Sequence, residues 1–165
     1  MSRDGIARTT LTEMSCVAPG DRLAAVMAGR ANVIEMTRAA EDAVLCPRET
    51  GGWSHDLRAA LAARIARQNG LSDLGTRYSA MIGDAAIADL ADPGKDGAAQ
   101  GLGAVCAFMD GVSVCPRDVT AADLAGLQAA GISDADIVRL CEISAFMAYQ
   151  ARVIAGLKLM QETVA

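Results

Sequence analysis

The chain has 165 residues and a formal net charge of −5, and 52% of its residues are apolar while only 3% are aromatic. This length is enough for a single domain with a substantial buried core. Because nucleic acids and anionic membranes attract basic protein surfaces, the acidic balance excludes nucleic-acid and membrane partners from our expectations.

The core of such a domain must consist largely of Ala, Leu, Ile, Val and Met. Ala has the highest helix propensity, and small side chains let helices approach closely, so we expect an all-α protein. The expected architecture is a compact bundle of about seven or eight helices in one domain over residues 1–165. Residues 1–16 of that domain could be flexible.

The first 15 residues, MSRDGIARTTLTEMS, carry charges and lack the apolar stretch of a secretory signal. The longest uncharged run, residues 97–109, has 13 residues and contains several glycines. A membrane-spanning helix needs about 20 apolar residues. We therefore expect a soluble protein of the cytoplasm.

Two helices are predicted first, over residues 21–28 and 31–45, with a break near Gly29. The second has apolar residues at helical spacing, which predicts a buried stripe. These residues are Val33, Met36, Ala40 and Val44. Pro47 ends this helix, because the residue before a proline is displaced from the α region.

The next predicted helix begins after Ser54, whose hydroxyl is a typical N-cap. It ends at Asn69-Gly70, which is typical of a left-handed stop. One face of this helix is expected in the core and the other in water. The core residues are Leu57, Leu61 and Ile65, and the residues facing water are Arg58, Arg67 and Gln68.

A further helix follows directly, capped by Ser72 or Asp73, and continues through Tyr78 to about residue 82. The segment DPGKDG (92–97) is the clearest loop of the chain. The segment DGAAQGLGAVCAFMDG (96–111) is predicted to be a helix that its glycines weaken.

Two repeated capping patterns open the last two predicted helices. Thr120 is followed by Asp123, and Ser133 by Asp136, at the spacing of a capping box. The final helix is long and runs to about Met160. Its expected core face consists of Ile137, Leu140, Cys141, Ser144, Met147, Ala148, Ala151, Ile154 and Ala155. No segment of the chain has a convincing strand pattern.

The tetrad Cys-Pro-Arg-acid occurs twice, at residues 46–49 and 115–118. Each copy precedes a capped helix, and proline interrupts helices, so we interpret the tetrad as a helix-ending signal. The alternative is that Cys46 and Cys115 are reactive thiols, since an adjacent arginine lowers the pKa of a thiol.

The five cysteines contain no Cys-x-x-Cys pair, so neither a zinc site nor a thioredoxin-type redox pair is indicated. His55 is the single histidine, and we expect it to be exposed in the first turn of its helix. We expect no metal and no cofactor. Six methionines are expected in the core or on an oligomer surface. They are Met27, Met36, Met81, Met109, Met147 and Met160.

Two stretches, separated by a Gly/Ala-rich helix, resemble a known superfamily. They are LRAALAARIARQNG (57–70) and DVTAADLAGLQAAGISDADIVRLCEISAFMAYQARVIAGL (118–157). The arrangement resembles the carboxymuconolactone decarboxylase and alkylhydroperoxidase-D-like superfamily, in particular its longer peroxidase-related members. The resemblance covers most of residues 30–160. It implies an alkylhydroperoxidase-D-like bundle that forms homo-oligomers.

The resemblance also implies where reacting groups would lie. Redox members carry Cys-x-x-Cys after Asn-Gly, at the start of a helix whose dipole stabilises a thiolate. A Glu one helix length earlier and a His one turn later relay the proton. When the chain is aligned on Asn69-Gly70, none of the four positions holds such a group. Leu71 and Leu74 replace the cysteines, Ala59 replaces the Glu, and Tyr78 replaces the His.

Two classes of function follow. The first is a divergent, non-peroxidatic oligomeric or ligand-binding protein, because two leucines turn a polarised helix terminus into an apolar contact. The second is an enzyme acting on a small molecule, peroxidase-related or lactone decarboxylase-like, with non-standard residues. For either class the candidate pocket comprises Ala59, Arg64, Asn69, Leu71, Leu74 and Tyr78. Arg64 and Arg77 are suited to an anionic ligand, and Tyr78 to donating a hydrogen bond.

Self-association is also expected from the residues themselves. The mean hydropathy is +0.26, which is high for so short a chain. Long amphipathic helices rich in Ala and Met need partners for their outer faces. We therefore expect a homo-oligomer, with a small molecule as the other expected partner.

Overall fold

The computed structural model describes residues 8–18 and 20–162, and in these residues it contains helices and no strand. The all-α expectation is confirmed. Nine α-helices are present in the described chain, and seven of them have seven residues or more. They are α1 (Thr10–Met14), α2 (Arg22–Ala28), α3 (Ala31–Leu45), α4 (His55–Gln68), α5 (Ser72–Ser79), α6 (Ala85–Ala88), α7 (Gly103–Val114), α8 (Ala121–Ala129) and α9 (Asp134–Glu162).

Helix α4 begins and ends as its sequence predicts. The Ser54 hydroxyl accepts a hydrogen bond from the backbone N–H of Leu57. At the other end Gly70 adopts φ +73°, and the N–H of Leu71 reaches back to the carbonyl of Ala66. This left-handed stop turns the chain sharply, so that α5 starts against the side of α4.

The centre of the bundle is α4, which packs against α3, α5, α6, α7 and α9. Every residue from Leu57 to Ala66 is buried, so this helix is covered on all sides. Its alanines let neighbours approach closely. At Gly75 of α5 a Cβ atom would lie 2.9 Å from Cγ of Arg67 and 3.3 Å from the carbonyl oxygen of Ala63.

Arg58 is buried, and the expectation that it faces water is wrong. Only 2% of this residue is exposed. Its guanidinium donates to the backbone carbonyls of Trp53, Val44 and Thr50 at 2.8–3.0 Å. Since a buried charge must be hydrogen-bonded, the side chain turned inward serves to join the α3–α4 connection to α4.

The stripe predicted for α3 lies mostly on the wrong face, and of its four residues only Val44 is partly buried against the core. The buried residues are Ile34, Thr37 and Leu45, whereas Val33 is 43% and Met36 is 68% exposed. Each buried position is one residue later than a predicted one, and one residue turns a helix by about 100°. The buried face of α3 therefore includes the polar Thr37, and its exposed face includes the apolar Val33 and Met36.

Helix α7 starts later than predicted. A short 3-10 turn occupies Ala98–Gln100, and Gly97 and Gly101 adopt φ +75° and +70°. Such left-handed residues interrupt an α-helix, so α7 begins only at Gly103. At Gly97 a Cβ atom would also lie 2.6 Å from Sγ of the buried Cys106, which requires glycine there.

The capping predictions for α8 and α9 are confirmed. Thr120 and Asp123 form a capping box, and Ser133 Oγ accepts from the N–H of Asp136 at 3.2 Å. Helix α9 extends from Asp134 to Glu162. Its buried face differs in part from the predicted one: Cys141 and Ala155 are exposed, and the buried set is Ile137, Leu140, Ile143, Ser144, Phe146, Met147, Gln150 and Ile154.

Asp136 joins α9 to the loop before α4, and this contact gives the fold an acid-sensitive element. Its carboxylate accepts from the Gly52 N–H at 2.9 Å and from Ser133 Oγ at 2.7 Å, and these bonds lower the pKa of Asp136. A carboxyl whose pKa is lower in the folded than in the unfolded chain stabilises the fold above the unfolded value, near pH 4. That stability is lost as the pH falls through the folded value.

We expect Asp136→Asn to lower the free energy of unfolding at pH 7 by about 1 kcal/mol, because the amide keeps one acceptor and loses the charge. Urea unfolding of both proteins should show this difference shrinking as the pH falls below about 4, through the folded-state pKa of Asp136. A difference that stays constant between pH 7 and pH 2 would show that the Asp136 charge has no part in it.

The N-terminal segment contains a short helix. Residues 10–14, within the segment expected to be flexible, form α1, in which Thr10, Leu11 and Thr12 are buried. Residues 1–7 lie outside the described residues. Among the described helices, none combines the length and hydropathy that would let it cross a membrane.

Candidate functional site

Both Cys-Pro-Arg-acid tetrads end a helix in the same way. Cys46 and Cys115 are the C-cap residues of α3 and α7, with φ, ψ of −125°, 48° and −133°, 64°. The N–H of each bonds to the carbonyl four residues earlier, at 2.9 Å. The helix-ending interpretation is confirmed by this repeated geometry, in which proline prevents a further helical turn.

The electrostatic surroundings of Cys46 oppose thiolate formation. Partial burial raises the pKa of the Cys46 thiol, and the carboxylates of Asp42 and Glu41 raise it further. A reactive cysteine needs the opposite, a cationic environment that lowers the pKa. The burial and the two carboxylates thus act against the effect expected of the adjacent arginine.

We expect Cys46 in the folded protein to react with a disulfide reagent such as Ellman's reagent more slowly than free cysteine at pH 7.5. The raised pKa reduces its thiolate fraction. Labelling followed by mass spectrometry would measure the rate, with Cys46→Ser to identify the site and Cys115→Ser as the matched control. Labelling of Cys46 well above the free-thiol rate would support the reactive-thiol alternative.

Leu71 and Leu74 lie at the start of α5. Leu71 is the N-cap, so neither Ser72 nor Asp73 caps this helix as predicted, and no side chain caps it. Leu74 is buried in the core, with 1% of its surface exposed. A surface cavity of about 130 Å³ lies beside this terminus and is also lined by Lys158.

The remaining positions of the candidate pocket do not line that cavity. Ala59 is 1% exposed in the centre of the bundle. The Asn69 side chain donates to the carbonyl of Ile65 at 2.9 Å and so completes the end of α4. Tyr78 lies deeper, at 0% exposure, and contacts a different group of residues.

Arg64 forms a structural ion pair. Its Nε and Nη2 donate to the two carboxylate oxygens of Asp110, each at 2.6 Å. The same guanidinium donates to the carbonyls of Leu90, Asp92 and Pro93. With 1% of the residue exposed and its donors engaged, Arg64 joins α4, α7 and the loop after α6 and is not free for an anionic ligand.

Tyr78 belongs to a buried polar network. Its hydroxyl lies 2.8 Å from Glu41 Oε1 and 2.6 Å from Gln150 Oε1. Burial, followed by the Glu41 carboxylate, raises the pKa of Tyr78 far above its ordinary value of about 10. The phenol therefore stays protonated and acts as a hydrogen-bond donor, not as a base.

The single hydroxyl proton of Tyr78 cannot serve two acceptors at once. A carboxylate is the stronger acceptor, so the proton belongs to the bond with Glu41. Gln150 is fully buried, and its Nε2 has no partner among the described residues. A rotation of this amide by 180° would bring Nε2 against the Tyr78 oxygen as a donor.

Glu41 is held from two sides at the edge of a cavity. Its Oε1 accepts from Tyr78 and from Thr10 Oγ1, each at 2.8 Å, so α5 and α1 both fix the carboxylate. Its Oε2 forms no hydrogen bond or ion pair with the described part of the chain. We name the surface cavity of about 210 Å³ that this residue lines the Glu41 cavity; Thr10, Arg38, Cys46, Arg77 and Met81 also line it.

The arginines at the Glu41 cavity are already paired with acids. Arg77 Nη1 donates to Glu13 Oε2 at 2.7 Å, and Arg8 Nε donates to the other oxygen of Glu13 at 3.2 Å. Arg38 contacts Glu35 at 2.6 Å and Asp42 at 2.7 Å. The cavity thus has guanidinium groups in its walls, each in contact with a carboxylate, although Arg8 and Arg77 share the single carboxylate of Glu13.

Glu41 and Gln150 were missed in the sequence, although a signal for both exists. Glu41 follows the buried Ile34 and Thr37 at helical spacing, and Gln150 lies three residues after Met147 on the core face of α9. A polar side chain on a core stripe must find a buried partner. These two positions identify the network that the Asn69-Gly70 alignment does not reach.

No group of three or more His, Cys, Asp or Glu side chains in the described residues is arranged to hold a metal ion. Comparison of the chain with protein-family models, curated proteins and solved structures gives no match.

Proposed function

We propose that this protein binds a small polar molecule in the Glu41 cavity, as a divergent, non-peroxidatic relative of the carboxymuconolactone decarboxylase and alkylhydroperoxidase-D-like proteins. The observation that carries the proposal is the Glu41 carboxylate. It is fixed by Thr10 and Tyr78 through one oxygen, while the other has no described partner at the cavity surface.

The energetics of a partly buried carboxylate support a ligand there. Desolvating a charged group is costly unless hydrogen bonds or a counter-ion compensate. The two neutral donors supply part of this compensation, and a ligand donor at Oε2 would supply more. The cavity volume equals that of about seven liquid waters, which suits a small ligand better than one of drug size.

The proposal is tested by following the ¹H–¹⁵N amide signals during titration with a set of small polar compounds. We expect saturable shifts in residues 9–10, 38–46 and 77–81, and a loss of affinity of about tenfold or more in Glu41→Gln. Asp118→Asn is the control, since Asp118 is an exposed carboxyl that does not line this cavity. Shifts confined to other surfaces would contradict the proposal.

The same proposal predicts no dithiol-dependent peroxidase activity. A peroxidatic site needs a thiolate and a nearby resolving thiol, and Leu71 and Leu74 supply no sulfur. Purified protein given dithiothreitol and cumene hydroperoxide should consume peroxide no faster than a variant in which all five cysteines are replaced by Ser or Ala. Rapid turnover that disappears in that variant would contradict it.

A second candidate function is an enzyme in which Glu41 accepts a proton from the bound molecule. The fixed position of Glu41 and the free Oε2 favour it, because a general base must be held within reach of its substrate. Incubation of each bound compound with the protein, followed by NMR of the compound, separates the candidates. Conversion that is lost in Glu41→Gln indicates an enzyme, and unchanged compound indicates a binding protein.

We also propose a homo-oligomer whose interface includes the outer face of α3. Met36 and Val33 are exposed there, and Tyr149 of α9 lies beside them, 41% exposed and bonded through its hydroxyl to Thr37 at 2.8 Å. Contiguous exposed apolar residues are typical of an interaction surface.

Light scattering should give a mass that is a multiple of 17.0 kDa. Met36→Asp should reduce this mass, whereas Val114→Asp, an exposed apolar position on α7, should not. A stable 17.0 kDa species at micromolar concentration would exclude the homo-oligomer. We also propose a cytoplasmic location, because the five cysteines are unpaired thiols and a reducing compartment keeps them so.

A further inference from the structure

We infer that the ligand of the Glu41 cavity carries a small cationic nitrogen, such as a primary ammonium group, for which Glu41 is the counter-ion. This inference rests on the proposed ligand-binding function and specifies the chemistry of the ligand. It follows from the charges around the cavity, from the hydrogen bonds of Glu41 and from the space beside its free oxygen.

On the α1 and α5 side of the cavity, two guanidinium groups share one carboxylate. Glu13 accepts from Arg8 and from Arg77, so one carboxylate neutralises two guanidinium groups incompletely. Both arginines nevertheless have an acidic partner in direct contact. An anionic ligand would have to compete with Glu13 for them.

On the α3 side of the cavity, carboxylates outnumber guanidinium groups. Arg38 is bound by Glu35 at 2.6 Å and by Asp42 at 2.7 Å, so two carboxylates surround one guanidinium. Glu41 adds a further carboxylate and forms no ion pair within the described residues. Among the described residues, the cavity and its direct partners therefore contain three guanidinium groups and four carboxylates, and Glu41 is the carboxylate without an ion-pair partner.

Glu41 accepts hydrogen bonds from two neutral groups, since Thr10 and Tyr78 both donate to its Oε1. The phenol of Tyr78 cannot supply a positive charge, and neither can the Cys46 thiol in the cavity wall. An ammonium group offers up to three donors and one positive charge, which match the unpaired Oε2 in both respects.

The size of the cavity limits the ligand to a short amine. With about 210 Å³ of space, n-butylammonium fits. Leu45 and Met81 are the apolar residues in its walls, and they suit a short hydrocarbon chain attached to the charged group. The net charge of −5 would also favour the approach of a cation over that of an anion.

The test compares three probes of matched size, n-butylammonium chloride, n-butanol and sodium butyrate, at constant ionic strength. Amide shifts of ¹⁵N-labelled protein measure each affinity. We expect saturable binding of n-butylammonium in the Glu41 cavity and affinities for the other two probes that are at least about tenfold weaker. Glu41→Gln should weaken the binding of n-butylammonium about tenfold or more, and Asp118→Asn, at an exposed carboxyl outside the cavity, should change it less than about twofold.

A second measurement uses the unchanged protein, so that the result does not depend on the folding of a variant. Nuclear Overhauser effects should join the methylene next to the ammonium nitrogen to the Thr10 methyl group, because Thr10 lies against Glu41. Tighter binding of butyrate or butanol in this cavity would overturn the cationic-ligand inference and leave the proposed binding function intact. Absence of binding by any probe or compound in the cavity would overturn both.

Discussion

Asp110→Ala should lower the free energy of unfolding by about 3 kcal/mol, which is a large loss for the removal of one partly exposed carboxylate. The reason is Arg64, which is 1% exposed and donates hydrogen bonds to both carboxylate oxygens of Asp110 at 2.6 Å. An arginine side chain is effectively always protonated in proteins, so the guanidinium cannot escape its burial by losing a proton when Asp110 is removed. Removal of Asp110 therefore leaves a buried charge without its counter-ion.

We place the expected value at the lower end for broken buried pairs, because the Asp110 side chain is 32% exposed and water can partly replace it. Thermal unfolding should show a midpoint lowered by roughly 6–12 °C. Asp118→Ala is the matched control, since Asp118 is exposed, and it should change stability by less than about 0.5 kcal/mol. Equal midpoints for the two variants would contradict a structural role for the Arg64–Asp110 pair.

Leu74→Ala should lower the free energy of unfolding by about 3 kcal/mol as well. Leu74 is 1% exposed and packs in the main core, so its truncation removes buried methyl groups and leaves a void. The void would adjoin the existing cavity of about 130 Å³, which Leu74 also lines. The leucine at this position is thus a core residue.

Chemical unfolding of Leu74→Ala measures this loss, with Leu124→Ala as the control. Leu124 is 38% exposed on α8, and its truncation should cost less than about 1 kcal/mol. A Leu74→Ala variant as stable as the unchanged protein would show that the leucine is dispensable at the α5 terminus.

Local signals in the sequence are sufficient for most helix boundaries. Ser54, Thr120 and Ser133 cap their helices as predicted, and Gly70 forms the left-handed stop of α4. These features depend on a few neighbouring residues, because a cap needs only its own hydroxyl and the next N–H groups. They can therefore be recognised without knowledge of the tertiary structure.

The faces of the helices are less predictable, since they depend on the neighbours. Apolar residue types indicate the wrong face of α3, where Met36 points outward while Thr37 and the partly buried Glu41 face α5 and α9. Arg58 was predicted to face water, and it is buried because carbonyl oxygens of the chain before α4 converge on it. Long-range partners decide such positions, and one helix does not reveal them.

In the candidate site, too, local sequence signals are recognisable and long-range contacts are not. An alignment on Asn69-Gly70 identifies the start of α5 and its missing thiols, and it includes Tyr78. It cannot identify Glu41 or Gln150, because they come from α3 and α9 and meet Tyr78 only in the folded chain. The resemblance to the alkylhydroperoxidase-D-like proteins remains a hypothesis, and the ligand-binding proposal depends on the Glu41 cavity alone.

The measurement that tests this proposal most directly is a crystal structure of the protein soaked with n-butylammonium chloride. We predict electron density for the amine in the Glu41 cavity, with its nitrogen within hydrogen-bonding distance of Glu41 Oε2 and no such density in Glu41→Gln crystals. An empty Glu41 cavity at a saturating concentration of the amine, or an amine bound equally in the Glu41→Gln crystals, would contradict it.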